Sequence, residues 1–155
     1  MPASLSDLKG LPANDEDLEK NVSIGNKATT GGSKVDPGII ILNTAGVWAK
    51  AGAGASGPMG IVPKKHPLNT DTDPTLQVAD RNDTEWYIEG AGTVKPGQRV
   101  KPDANGNGIP WVAATDTLKE APFIYEGHYG EGVGLENKPT DGLTGQAWRV
   151  RISGG

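Results

Sequence analysis

Cysteine is absent from the 155 residues, which excludes disulfides and thiolate metal sites. Large core side chains are scarce: one Phe, three Tyr and four Trp make up 5% of the chain. A domain so thinly supplied with aromatic burial gains from association with a partner surface or with further copies of itself. Long hydrophobic runs are missing too. No window approaches the roughly 18 apolar residues of a membrane span, and the first residues hold no secretory apolar stretch, so no membrane partner is expected. Positive charge is in deficit, with 15 Lys and Arg against 19 Asp and Glu. The formal net charge of −4 argues against nucleic-acid binding as a main task.

Glycine and proline are abundant, at 23 and 12 residues. A chain of this length is one domain's worth, and so many turn formers suit many short strands better than long helices. The stretch Pro37–Val62, PGIIILNTAGVWAKAGAGASGPMGIV, sets the pattern. A Pro-Gly turn leads into Ile39-Ile40-Ile41-Leu42, a β-branched apolar run of strand length. Asn43 to Gly46 supplies turn chemistry, and Val47 and Trp48 begin a return strand. The small residues Ala49 to Gly57 then link to a third strand, Met59 to Val62. These features predict a β-meander.

A weaker echo follows. Pro96-Gly97 opens Gln98 to Pro102, Asp103 to Gly108 turns, and Ile109 to Val112 returns, while Gly132-Val133-Gly134-Leu135 answers Met59 to Val62. Repeated β units predict one compact β domain. Further strands are expected at Thr75–Asp80, at Thr84–Gly90 with Trp86 and Ile88 on one face, and at Pro122–Glu126. The chain closes on Gln146–Ile152, where Trp148, Val150 and Ile152 alternate with Arg149 and Arg151. A short helical turn fits between Thr115 and Ala121. The expected fold is all-β, a compact barrel or sandwich of short strands over residues 35–155.

Residues 1–34 differ, because their apolar residues are isolated. Ser4 can cap one helical turn carrying Leu5 and Leu8, and Asn14 can cap a second over Asp15–Lys20. Both are too short to be stable alone, and Thr29 to Ser33 reads as a linker. Spaced leucines are what a segment that orders on a partner keeps. The expectation is an extended N-terminal arm whose Leu5, Leu8, Leu11 and Leu18 dock.

Chemistry-bearing motifs are few. Asp103 to Gly108 matches the opening D-x-N-x-N-G of a calcium loop, but position 12 is Ala114 where a bidentate Glu is required, so a hairpin turn is the better account. Asn69, Asp71 and Asp73 make a second oxygen-rich loop. His66 lies in a Lys-Pro loop. Glu126 and His128 share a strand face near Glu131, with no third ligand at a suitable spacing. Nucleophile-elbow, phosphate-loop and H-E-x-x-H patterns are absent, so neither an enzyme nor a cofactor is expected. Core packing is the default for the four tryptophans, with Trp48 the candidate interface anchor because it lies near a hairpin turn.

Pro37–Val62, together with KPGQRVKPDANGNGIPW and YGEGVGLENKPTDGLTGQAWRVRI, resembles the head decoration (capsid cement) proteins of tailed phages, including the lambda-type. The resemblance spans about Val35 to Ile152. It implies a β-tulip-like fold, a homotrimer seated on the capsid's outer surface, and an N-terminal arm that binds the major capsid protein, with no catalytic residues to transfer. A carbohydrate-binding β module of a tail or secreted protein is the alternative, with Trp86 or Trp111 as stacking platforms.

Overall fold

The computed structural model describes residues 4–14, 27–29, 34–64, 75–113, 116–129 and 140–153. Among them are one helical turn, α1 (Leu5–Leu8), and ten strands: β1 (Lys27–Thr29), β2 (Ile40–Thr44), β3 (Val47–Lys50), β4 (Met59–Ile61), β5 (Thr75–Gln77), β6 (Glu85–Glu89), β7 (Arg99–Pro102), β8 (Gly108–Pro110), β9 (Phe123–His128) and β10 (Ala147–Ile152). A 3-10 turn at Leu118–Glu120 falls where the sequence allowed one. The strands form two five-stranded sheets, ordered β4-β2-β3-β1-β5 and β6-β10-β9-β7-β8. All pairings are antiparallel except β1 with β3. The fold is all-β and sandwich-like, and neither sheet closes into a barrel.

The hairpin at the centre of the sequence forms. Ala45 (φ 52) and Gly46 (φ 88) make a two-residue turn with both residues left-handed, the geometry whose twist matches the flanking strands. The Asn43 side chain braces it by accepting the Gly46 N–H at 2.9 Å. The expected meander is corrected by the pairing of β4. It lies beside β2, not β3, with Ile40 opposite Ile61 and Leu42 opposite Met59. Residues 51–58 carry the chain across, so β2 becomes an interior strand. Ile40 enters the main core while Ile41 joins a second cluster with Ile39, Trp48, Val62 and Val78. Burial on both faces explains the unbroken apolar run.

The main core draws on both sheets. Ile40, Met59 and Ile61 of the first meet Trp86, Ile88, Phe123, Tyr125, Trp148, Val150 and Ile152 of the second. Strand β6 buries Trp86 and Ile88, and β10 buries Trp148, Val150 and Ile152, as their alternation requires. Trp148 meets Tyr125 edge-to-face at 5.6 Å and donates its indole N–H to the Leu143 carbonyl. Gly90 makes room for that indole, because a Cβ there would lie 1.9 Å from the ring. The expected helical turn at Asp15–Lys20 and the expected strand at Gly132–Leu135 lie outside the described residues.

Residues 4–14 pack onto the β domain. Ser4 caps α1 through the Asp7 N–H, as its position predicts, and Asp7 returns a bond to the Ser4 N–H. The chain then runs along the open edge of β6. The Gly10 N–H donates to the Tyr87 carbonyl at 2.8 Å, the Tyr87 N–H to Leu11 at 3.0 Å, and the Ala13 N–H to Glu85 at 2.7 Å. On its other side the Lys64 N–H donates to the Gly10 carbonyl at 2.9 Å, just past β4. The segment is therefore bonded to the margins of both sheets. Gly10 (φ 84) is required by conformation and by space, since a Cβ would meet Lys64 N at 2.7 Å and Val62 O at 2.8 Å.

Candidate functional site

The four arm leucines have different surroundings. Leu8 is buried and Leu5 and Leu11 are half-buried against the chain's own β domain, while Leu18 lies outside the described residues. A buried Leu8 is committed within the protein and cannot also lie in a partner's surface. Lys64 reinforces the clasp by donating its Nζ to the Asp7 carbonyl at 2.6 Å. Asn14 continues it, accepting the Glu85 N–H at 2.9 Å and donating to the Asp83 carbonyl at 3.0 Å.

Trp48 is 4% exposed, so it does not project as an anchor. The alternation of β3 turns it inward while Val47, 42% exposed, faces out. Trp48 instead helps to line a groove of about 510 Å³ where the sheets meet, with Met59 and Ile152 beside it. Pro58, Pro122 and Leu118 add apolar wall, and Asp80 and Lys119 contribute opposite charges. Leu118, on the 3-10 turn, is 56% exposed. Sequence inspection singled out neither Leu118 nor this groove, because residues from distant segments build it.

Trp86, one stacking platform of the carbohydrate alternative, is buried at 1% exposure and donates its indole N–H to Thr84 Oγ1 at 2.9 Å. That platform is corrected to a core residue. Trp111 is half-buried beside Gln98, Arg99 and Val112 and donates its indole N–H to the Thr117 carbonyl at 2.9 Å.

The Asp103–Gly108 loop is the β7–β8 turn. Asp103 Oδ1 accepts the N–H groups of Asn105 at 2.7 Å and Asn107 at 3.0 Å, and the Ile40 N–H donates to the Gly106 carbonyl, pinning the turn to the first sheet. Among the described residues no three His, Cys, Asp or Glu side chains are placed to hold a metal. The expected shared face of Glu126 and His128 is corrected by a β-bulge in β9: Glu126 lies on the outward side with the arginines, whereas His128 pairs with Trp148 on the side of Tyr125. Glu126 Oε1 accepts from Arg151 Nε at 2.9 Å, and His128 Nδ1 lies 3.1 Å from the Tyr125 hydroxyl. His66, Asn69, Asp71, Asp73, Ala114 and Glu131 lie outside the described residues.

The outward face of the second sheet carries an ion-pair lattice. Arg149 Nε lies 3.3 Å from Glu85 Oε1, and Arg151 bridges Glu126 and Asp83. Burial pushes the Glu85 carboxyl above its ordinary pKa, with Arg149 pulling the other way. Burial also raises the Tyr87 phenol, whose ring packs edge-on against Tyr129 at 6.2 Å. Donating a hydrogen bond to Glu126 raises the Arg151 guanidinium above its ordinary pKa. The alternation of β10 put both arginines on one face; the acids opposite them came from pairings that no single segment encodes.

Among the described residues no helix is long and apolar enough to cross a membrane. No protein-family model matches this chain, nor does any curated protein or solved structure.

Proposed function

We propose that this chain is a structural virion protein that binds the outer surface of an assembled phage capsid as a homotrimer, bridging major capsid protein subunits. The observation that carries this proposal is the stretch Pro37–Val62, which resembles the first β unit of head decoration proteins and folds as one unit, β2, β3 and β4 side by side. Exposed apolar side chains at Val47, Val112, Leu118 and Leu143 give the all-β body contact points for neighbours. The mechanism is repetition: each copy makes a modest contact, and three linked copies convert it to avidity. Because Leu8 is packed inward, the N-terminal contribution to lattice contact falls to Leu5, Leu11 and Leu18.

The test is sedimentation of the purified protein alone and with expanded tailed-phage heads stripped of their own decoration protein. A trimer alone, and co-sedimentation at saturating stoichiometry with the heads, is the expected result. A monomer at micromolar concentration that stays in the supernatant would overturn the proposal.

A further inference from the structure

A second groove, of about 520 Å³, lies where four separate segments converge. Lys9 reaches it from the N-terminal clasp, Lys34 and Asp36 from the approach to β2, Lys50 from the end of β3, and Asn105 and Asn107 from the β7–β8 turn. Three lysines against Asp36 and the neighbouring Glu89 leave this groove positive on a chain whose formal net charge is −4. Lys9 lies 3.9 Å from Glu89, and Glu89 also accepts from Asn107 Nδ2 at 3.1 Å. Lys34 and Lys50 are exposed and have no ion pair among the described residues. The turn that forms one wall is fixed in place, because Gly106 fits so closely that a Cβ would meet Ile39 Cγ2 at 2.7 Å.

We infer that this groove binds an extended acidic peptide segment of a partner protein. Electrostatic complementarity favours an anion there, and the surrounding negative chain disfavours a long polyanion that would run beyond it. The lysines come from three different segments and border a space far larger than one phosphate, so carboxylates spaced along a strand suit them. Asn107, in the same wall, is held in place by the bond from its Nδ2 to Glu89. An extended acidic peptide spreads several carboxylates along its length, whereas inorganic phosphate presents one compact charge. Neither the arm leucines nor Trp48 line the groove, and its assignment holds whether or not the partner is a capsid.

The experiment is fluorescence anisotropy of labelled hexaglutamate titrated with the full-length protein, with hexaglutamine and inorganic phosphate as comparison ligands. The double variant Lys34→Glu/Lys50→Glu is measured beside Lys95→Glu/Lys119→Glu, which changes the net charge equally at sites away from the groove. Circular dichroism checks that both variants fold. Hexaglutamate is expected to bind, to lose about tenfold or more in affinity in the groove variant but not in the control, and to shift the Asn107 side-chain amide resonances. The inference is overturned by an absence of binding at millimolar hexaglutamate, by equal losses in the two variants, by unmoved Asn107 resonances, or by phosphate binding as tightly as the peptide.

Discussion

The two sheets are stabilised by different means. The second has the longer strands and nearly all the bulky side chains: Trp86, Trp148, Tyr125 and Phe123 are fully buried around β6, β9 and β10. The first has strands of three to five residues and offers that core mainly aliphatic side chains, with Trp48 in a smaller cluster beside an open groove. What the first sheet lacks in bulk it recovers through backbone attachment, because the N-terminal clasp and the pinned β7–β8 turn both bond to it. A chain with few aromatics can thus form a two-sheet body by concentrating them in one sheet and tying the other to it.

The largest expected effects separate the two cores. Trp148→Ala removes a fully buried indole, its edge-to-face contact and its hydrogen bond, at a cost of about 3–5 kcal/mol in denaturant unfolding. Trp48→Ala, in the smaller cluster, is expected at or below about 3 kcal/mol. Equal losses would erase the distinction. Next comes the clasp, where Leu8→Ala should cost about 2–3 kcal/mol by the same denaturant measurement. A solvated arm would lose nothing.

Glycine substitutions sharpen the same contrast at about 1–3 kcal/mol. Gly90→Ala sets a methyl into the Trp148 ring, which cannot yield, so its melting temperature should fall clearly. Gly60→Ala on the first sheet meets a single methyl of Val78 at 2.3 Å, in the smaller cluster, whereas Gly90→Ala meets three atoms of the indole. Its loss should be the smaller of the two.

The pH response provides a finer comparison. Burial leaves Glu85 with a folded pKa above its unfolded one, so its stabilising contribution is complete below the unfolded value and is lost as pH rises through the folded one. The melting temperature of the wild type relative to Glu85→Gln should therefore decline from about pH 4 toward neutrality. Asp7 in the clasp has the opposite sign. Hydrogen bonding from Ser4 lowers its pKa, so its contribution is present above the unfolded value and is lost as pH falls through the folded one. The smallest effect belongs to the β2–β3 turn, where Ala45→Gly relieves a left-handed alanine and should gain up to about 1 kcal/mol.

The all-β class, the β2–β3 and β7–β8 hairpins, and the inward faces of β6 and β10 were legible because local alternation and turn chemistry encode them. The place of β4 was not, since pairing order is set by the crossover and no periodicity records it. Nor was the clasp. Residues 10–13 are held by main-chain bonds to β6, so their side chains show no strand pattern, and an isolated Gly10 was the only cue. Nearness to a turn makes Trp48 a candidate anchor in the sequence, whereas the parity that turns it inward and Val47 outward is set by which face of β3 the fold covers. The lysine groove escaped notice because Lys9, Lys34 and Lys50 are far apart in sequence and meet only through the clasp and the β3 hairpin.

The central structural claim is that residues 4–14 belong to the folded body, and this fixes which surfaces remain for a partner. Native-state amide hydrogen exchange on the full-length protein tests it most directly, read at Ala13, Tyr87 and Lys64, whose N–H groups make the clasp bonds. The account predicts that all three exchange slowly, with protection approaching that of the β10 amides. Rapid exchange at all three alongside protected β10 amides would contradict it and return the segment to a solvated arm.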